Sequence, residues 1–231
     1  MRGSGSTLSG DGSVNPNASS GLEATQRRFR RLERRGTMFK RLTPIITLTA
    51  VCWLVFALNT LFWQGRLAEH GIIPRQLASL TGIIWAPFLH ASFQHLAANT
   101  VPLLVLGAIL CARGKGEFAI VTAGGILLGG IVTWLFARSA CHIGASGLIF
   151  CYFGYIASLA WFNRTFGTLC LSLVCILAYG GMIKGILPRQ TPVSWEGHLA
   201  GLLAGVALAS FMSKLKQAPA AVPNPGTGSG R

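Results

Sequence analysis

Three short clusters in this chain combine residue types suited to acyl-transfer chemistry. Ser146 sits in Gly144-Ala145-Ser146-Gly147, at the start of an apolar run. A serine among small residues at a helix start presents its hydroxyl beside backbone N–H groups that lack helical acceptors. His95 and Asn99 are spaced i, i+4 and so share one helix face. His198 lies between Gly197 and Gly201, at the start of another apolar run. Peptide hydrolysis needs a nucleophile, a base and donors for a tetrahedral oxyanion. Ser146 and a neutral His198 can supply the first two. The Ser146 backbone N–H, the Asn99 amide and His95 can supply the third. Asp11, the one aspartate, lies in a remote polar stretch, and Glu196 points to another part of its helix than His198. A Ser–His dyad is therefore expected rather than a triad.

These residues must be delivered by apolar elements. The chain is 51% hydrophobic and 11% charged, with a mean hydropathy of +0.52, whereas soluble domains carry about 25% charged residues. Six apolar spans are expected at about 43–63, 94–112, 117–137, 145–163, 168–184 and 196–213. Each approaches the roughly 20 residues that cross a hydrocarbon core. The fold class expected is an all-α polytopic membrane bundle of six transmembrane helices, occupying residues 42–214. Residues 1–41 read as a disordered, basic segment and 215–231 as a disordered tail, from their Gly, Ser, Asn and Pro content. No secretory signal is expected at the start, because no apolar core follows it closely.

Nine of the twenty basic residues fall within the first 41 positions, most of them in Arg27–Arg41. A basic block before the first apolar run predicts that the N-terminus is cytoplasmic and meets anionic lipid. The C-terminus is then cytoplasmic too. Helices 2, 4 and 6 run from outside to inside, which sets His95, Asn99, Ser146 and His198 at a similar depth. Ionisable groups within a membrane are costly and tend to be functional. Small residues support close helix contact: Ser146, Phe150, Gly154 and Ser158 recur at i+4 in one helix, and Gly197, Gly201 and Gly205 in another. Gly125 and Gly129 read as plain packing.

His95-x-x-x-Asn99, Gly144-Ala145-Ser146-Gly147 and Gly197-His198-x-x-Gly201 together resemble the three signatures of the rhomboid intramembrane serine proteases. Their order and their places on helices 2, 4 and 6 match a six-helix rhomboid core over roughly residues 43–213. The resemblance implies an intramembrane serine endopeptidase that cleaves single-span or polytopic membrane proteins in or near their transmembrane segments. It implies Ser146 as nucleophile, His198 as general base, and His95 and Asn99 at the oxyanion site. It also implies a multi-pass location in a bacterial inner membrane. The best-studied bacterial members stack a tyrosine on the catalytic histidine four residues after the serine; here Phe150 takes that place. They also carry a Trp-Arg pair in the first outer loop, and none occurs between Gly65 and Phe93. By the same resemblance, that loop lies partly in the outer leaflet.

Other functions fit less well. No aromatic-basic platform accompanies the arginines, so no nucleic-acid partner is expected. No H-E-x-x-H motif or phosphate-binding loop is present, so neither a metal nor a cofactor is expected. The six cysteines include no C-x-x-C pair and read as small buried hydrophobes, with Cys141 nearer the outer surface. Oligomeric state is not legible. A catalytically silent rhomboid-like client-binding protein predicts loss of the serine or histidine. A small transporter predicts polar groups continuing through the inner halves of the helices, and those of helices 2, 4 and 6 are nearly bare.

Overall fold

The computed structural model describes residues 40–188 and 193–217. Six helices are long and apolar enough to cross a membrane: α1 (Lys40–Phe62), α2 (Phe93–Arg113), α3 (Lys115–Phe136), α4 (Ser146–Asn163), α5 (Phe166–Ile186) and α6 (Trp195–Gln217). Each begins and ends within a few residues of the span expected from hydropathy. The tails expected at 1–41 and 215–231 lie almost wholly outside the described residues, although α6 runs on to Gln217. The end at which α2, α4 and α6 begin is called the upper end below.

α4 is the axis of the bundle. Over half of its apolar window is buried, 56%, against 22% for α1 and 17% for α5. Tyr152, Tyr155, Ile149 and Ile156 are fully enclosed along it. α6 lies against α4 at backbone contact. Cβ atoms at Gly201 and Gly205 would run into the backbone of Gly147 and of Cys151 and Tyr155, and one at Gly154 would meet the Leu202 carbonyl. Such close approach is how helices associate where the solvent is as apolar as the side chains. α3 joins through Gly129, whose Cβ would stand 3.5 Å from the Gly201 Cα. Around that point α3 loosens into a π-helical turn, Gly125–Gly129, a distortion that often marks functional sites.

Three of the helices begin at a side-chain cap. Ser92 caps α2, accepting the His95 N–H at 3.1 Å. Thr165 and Thr168 form a reciprocal capping box at the start of α5. Ser194 caps α6 by accepting the Gly197 N–H at 3.1 Å. α1 turns Ile45, Thr49, Cys52 and Asn59 inward, the spacing of a single helix face, and Ile45 fills the space that Gly107 leaves open.

The lower end is closed by polar groups that hydropathy does not reveal. Glu117 accepts hydrogen bonds from Arg113, from Tyr155 Oη at 2.8 Å and from Lys216 Nζ at 2.7 Å. Tyr152 Oη and Thr122 Oγ1 pair at 2.7 Å. A buried carboxylate is tolerated when its lone pairs are filled in this way, and the cluster ties together α2, α3, α4 and α6.

The segment between α1 and α2 is more structured than an ordinary loop. It contains 3-10 turns at Arg66–His70 and Leu77–Ser79, then Gly82–Trp85 and Ala86–Phe88. Gly82, Ile83 and Ala86 face the bundle, while Leu77, Ile84 and Trp85 are exposed. This is the amphipathic pattern of an element lying along an interface.

Candidate active site

At the upper end, Ser146 opens α4 and His198 stands in the first turn of α6. Ser146 Oγ and His198 Nε2 are 2.9 Å apart. On its other side, His198 Nδ1 lies 3.0 Å from the Gly185 carbonyl oxygen. A carbonyl can only accept, so Nδ1 carries the proton. Nε2 is then left unprotonated, facing the serine hydroxyl that donates to it. The Phe150 ring stacks on the imidazole at 4.3 Å between centroids and 12° between planes. His198 is 7% exposed.

The turn before Ser146 is built by backbone needs and by histidine. Gly144 has φ of +109°, a conformation that favours glycine. A Cβ there would stand 2.6 Å from the His95 ring and 3.5 Å from Asn99 Nδ2. The missing side chain lets the His95 ring pack directly against the turn, with Asn99 beside it. Asn99 Nδ2 is buried with no hydrogen-bond partner among the described residues. An orphaned buried donor costs about 1–3 kcal/mol, and one that faces the nucleophile's turn is placed to meet an acceptor arriving with a reactant. No side chain caps α4, so the Ser146 N–H joins it as a backbone donor without a helical acceptor.

His90 and His142 do different work from His95. The His90 ring lies T-shaped against the His95 ring, 5.1 Å between centroids. Its Nε2 accepts the Ala145 N–H at 3.4 Å, and Nδ1 faces the Phe88 carbonyl, also at 3.4 Å. Burial, reinforced by the charge of His95, pushes its pKa down to about 4 against the opposing pull of that carbonyl. His142 donates from Nε2 to the Arg138 carbonyl at 3.0 Å and accepts at Nδ1 from Ser194 Oγ at 2.6 Å. It thus links the α3–α4 loop to the cap of α6. Cys141 donates to the Ala68 carbonyl at 3.3 Å.

The α1–α2 segment is fastened to the same loop. Ile72 and His142 exchange backbone hydrogen bonds at 3.0 and 2.8 Å. Arg75, at φ of +62°, donates from Nη1 to the carbonyls of Ala137 at 2.9 Å and Leu135 at 3.2 Å. A cation on the last carbonyls of a helix satisfies orphan acceptors and opposes the negative end of its dipole. Trp134 Nε1 returns a bond to the Gln76 carbonyl at 3.0 Å. Trp134 and Arg75 together clasp α3 to the first loop, the Arg75 N–H donating to the Trp134 carbonyl at 3.0 Å.

A cavity of about 60 Å³ opens beside the pair, lined by Gly129, Gly144, Ser146, Gly147, Thr133 and His198 among others. Gly125 and Gly129, expected only to pack, also line it. Glu196 is not part of the pair: its Oε1 lies 3.6 Å from Arg138 Nε. Of the prolines between α5 and α6, Pro188 is described and Pro192 lies outside the described residues.

Comparison with known proteins agrees with this architecture. Residues 77–215 match the family model of the rhomboid domain. An uncharacterised protein of Mycobacterium tuberculosis is 39% identical over 81% of this chain and 82% of its own length. YdcA of Bacillus subtilis, provisionally named a rhomboid protease, is 30% identical over 78% of this chain and 93% of its own. The RHOMBOID-like protein 7 of Arabidopsis thaliana is 31% identical over 65% of this chain and 48% of its own. With six membrane-crossing helices and this match over most of its bundle, the chain is an integral, multi-pass membrane protein that belongs to the rhomboid family.

Proposed function

We propose that the chain is an intramembrane serine endopeptidase that hydrolyses peptide bonds in or near the transmembrane segments of other membrane proteins. The observation that carries this reading is the 2.9 Å approach of Ser146 Oγ to an imidazole nitrogen that must be an acceptor. Family membership supports it, since rhomboids are generally proteases of this kind.

In this reading, Ser146 Oγ attacks the scissile carbonyl carbon as its proton passes to His198 Nε2. The carbonyl electron pair moves onto oxygen. The Ser146 N–H, the Asn99 amide and His95 receive that oxyanion. Collapse breaks the C–N bond, and the imidazolium gives its proton to the departing amine. Water, deprotonated by His198, then hydrolyses the acyl ester and restores the serine. Phe150 holds the ring plane throughout. Gly154, Gly201 and Gly205 bring the two helices close enough for a short side chain to reach the base.

The arginine-rich N-terminal segment orients both termini to the cytoplasm, in a bacterial inner membrane with anionic lipid against that segment. The site then opens toward the outer leaflet, and clients are cut near the outer ends of their helices. The cavity beside Ser146 is small and glycine-walled, which favours a small residue before the cut.

Labelling tests this directly. A fluorophosphonate probe should modify the parent protein in detergent and leave Ser146→Ala unmodified. Equal labelling of both, or labelling of neither, contradicts the reading.

A further inference from the structure

The group behind the candidate base is not a carboxylate but a backbone carbonyl, and it belongs to the least enclosed helix of the bundle. α5 has 17% of its apolar window buried, against 50% for α6. Its lower half is fastened: Thr165 caps it, and Ser172 Oγ donates to the Ile156 carbonyl at 2.8 Å while accepting the Ala160 N–H at 3.1 Å. Its upper end is a 3-10 segment, Gly180–Ile186, that buries no residue. That segment reaches the site through Gly185, whose carbonyl takes the His198 Nδ1 proton at 3.0 Å.

The glycines of the segment differ in what they leave room for. A Cβ at Gly181 would meet nothing within 4 Å, and one at Gly180 only an ordinary contact with Ile176 at 3.8 Å. At Gly185 it would stand 3.0 Å from the Phe150 ring and 3.2 Å from His198 Nδ1. The absence of a side chain is needed at Gly185, where the backbone must come up against the stacked rings.

An imidazole has two neutral tautomers, and the hydrogen bond at one nitrogen decides which is present. We propose that the Gly185 carbonyl is the positioning group for His198, so that the upper end of α5 carries part of the base. With that end seated against α6, the proton is held at Nδ1 and Nε2 faces Ser146. This rests on the reading of Ser146 and His198 as the reacting pair.

The test is the tautomer itself. In full-length protein labelled with 15N-histidine, with His198→Gln identifying the resonances, the parent should show His198 protonated at Nδ1 and bare at Nε2. Gly185→Ala should give a mixture of tautomers. Its kcat on a single-span client should fall on the order of 10–100-fold, the loss seen when the second partner of a metal-bound histidine is removed, with KM within about twofold. A parent His198 protonated at Nε2, or a Gly185→Ala protein that loses turnover with the resonances unmoved, overturns the proposal. The parent measurement needs no variant, and in Ser146→Ala it can be made without any activity. Cleavage that persists in Ser146→Ala would therefore sink the dyad while leaving the tautomer question answered separately.

Discussion

Phe150 lies parallel to the His198 imidazole, 4.3 Å away, one turn below the serine on the same helix. The stack holds the ring plane from one face while the Gly185 carbonyl and Ser146 hold its two nitrogens. An aromatic pair of this kind is worth about 0.5–1.5 kcal/mol. Phe150→Ala should therefore lower kcat about 3–10-fold or more, and Phe150→Tyr should stay close to the parent. Steady-state kinetics on a single-span client checks this. Equal rates for Phe150→Ala and the parent would show that the stack does not orient the base.

Asn99 Nδ2 has no acceptor among the described residues. Asn99→Ala should cut turnover on the order of 10²-fold, the usual loss for one oxyanion donor, while Ser146 remains reactive to a fluorophosphonate. The measurement is kcat beside labelling in the same preparation. Parent-like turnover across several clients would remove Asn99 from the site.

His90 predicts an acid limit. Its folded pKa lies near 4, below the ordinary 6.5. Between those values the unfolded chain binds more protons than the folded one, so stability falls as pH drops from about 6.5 towards 4 and is fully present above that window. The effect is worth on the order of 3 kcal/mol from this residue. Thermal unfolding in detergent should show a steeper acid loss for the parent than for His90→Asn. Matching slopes would mean that His90 is not a buried neutral clamp on the Ala145 N–H.

Arg75 predicts a purely structural loss. Arg75→Ala should lower stability by about 1–3 kcal/mol, because two terminal carbonyls of α3 lose their donor. Arg75→Lys should recover only part of this, since one ammonium nitrogen can replace Nη1 at the carbonyls but not also Nη2, which donates to Ser139 Oγ at 3.4 Å. Unfolding temperatures of the three proteins, measured side by side, decide it.

The spans were legible because a membrane imposes length and apolarity on every crossing helix. The candidate site was legible because His95, Asn99, Ser146 and His198 all fall at helix starts, where topology alone sets them level. Other features left little trace in residue types. The Gly185 carbonyl has no side chain to announce it. His90 and His142 look like His95 in sequence, and only the turn they grip tells them apart. Arg75 and Trp134 are 59 positions apart, so their clasp has no local spacing. Glu117 opens the expected span 117–137, and nothing in the sequence gives it a partner until Arg113, Tyr155 and Lys216 are seen around it.

The most direct test of the central claim is cleavage by purified protein in proteoliposomes, with the cut mapped by mass spectrometry. The parent should cleave a single-span client near the outer end of its helix, after a small residue. Ser146→Ala and His198→Ala should each abolish the cut while remaining folded, since neither side chain fills a large core volume. Cleavage retained by Ser146→Ala, or a parent that cuts no client while Ser146 is labelled and folded, would contradict the assignment of this pair as an intramembrane protease dyad.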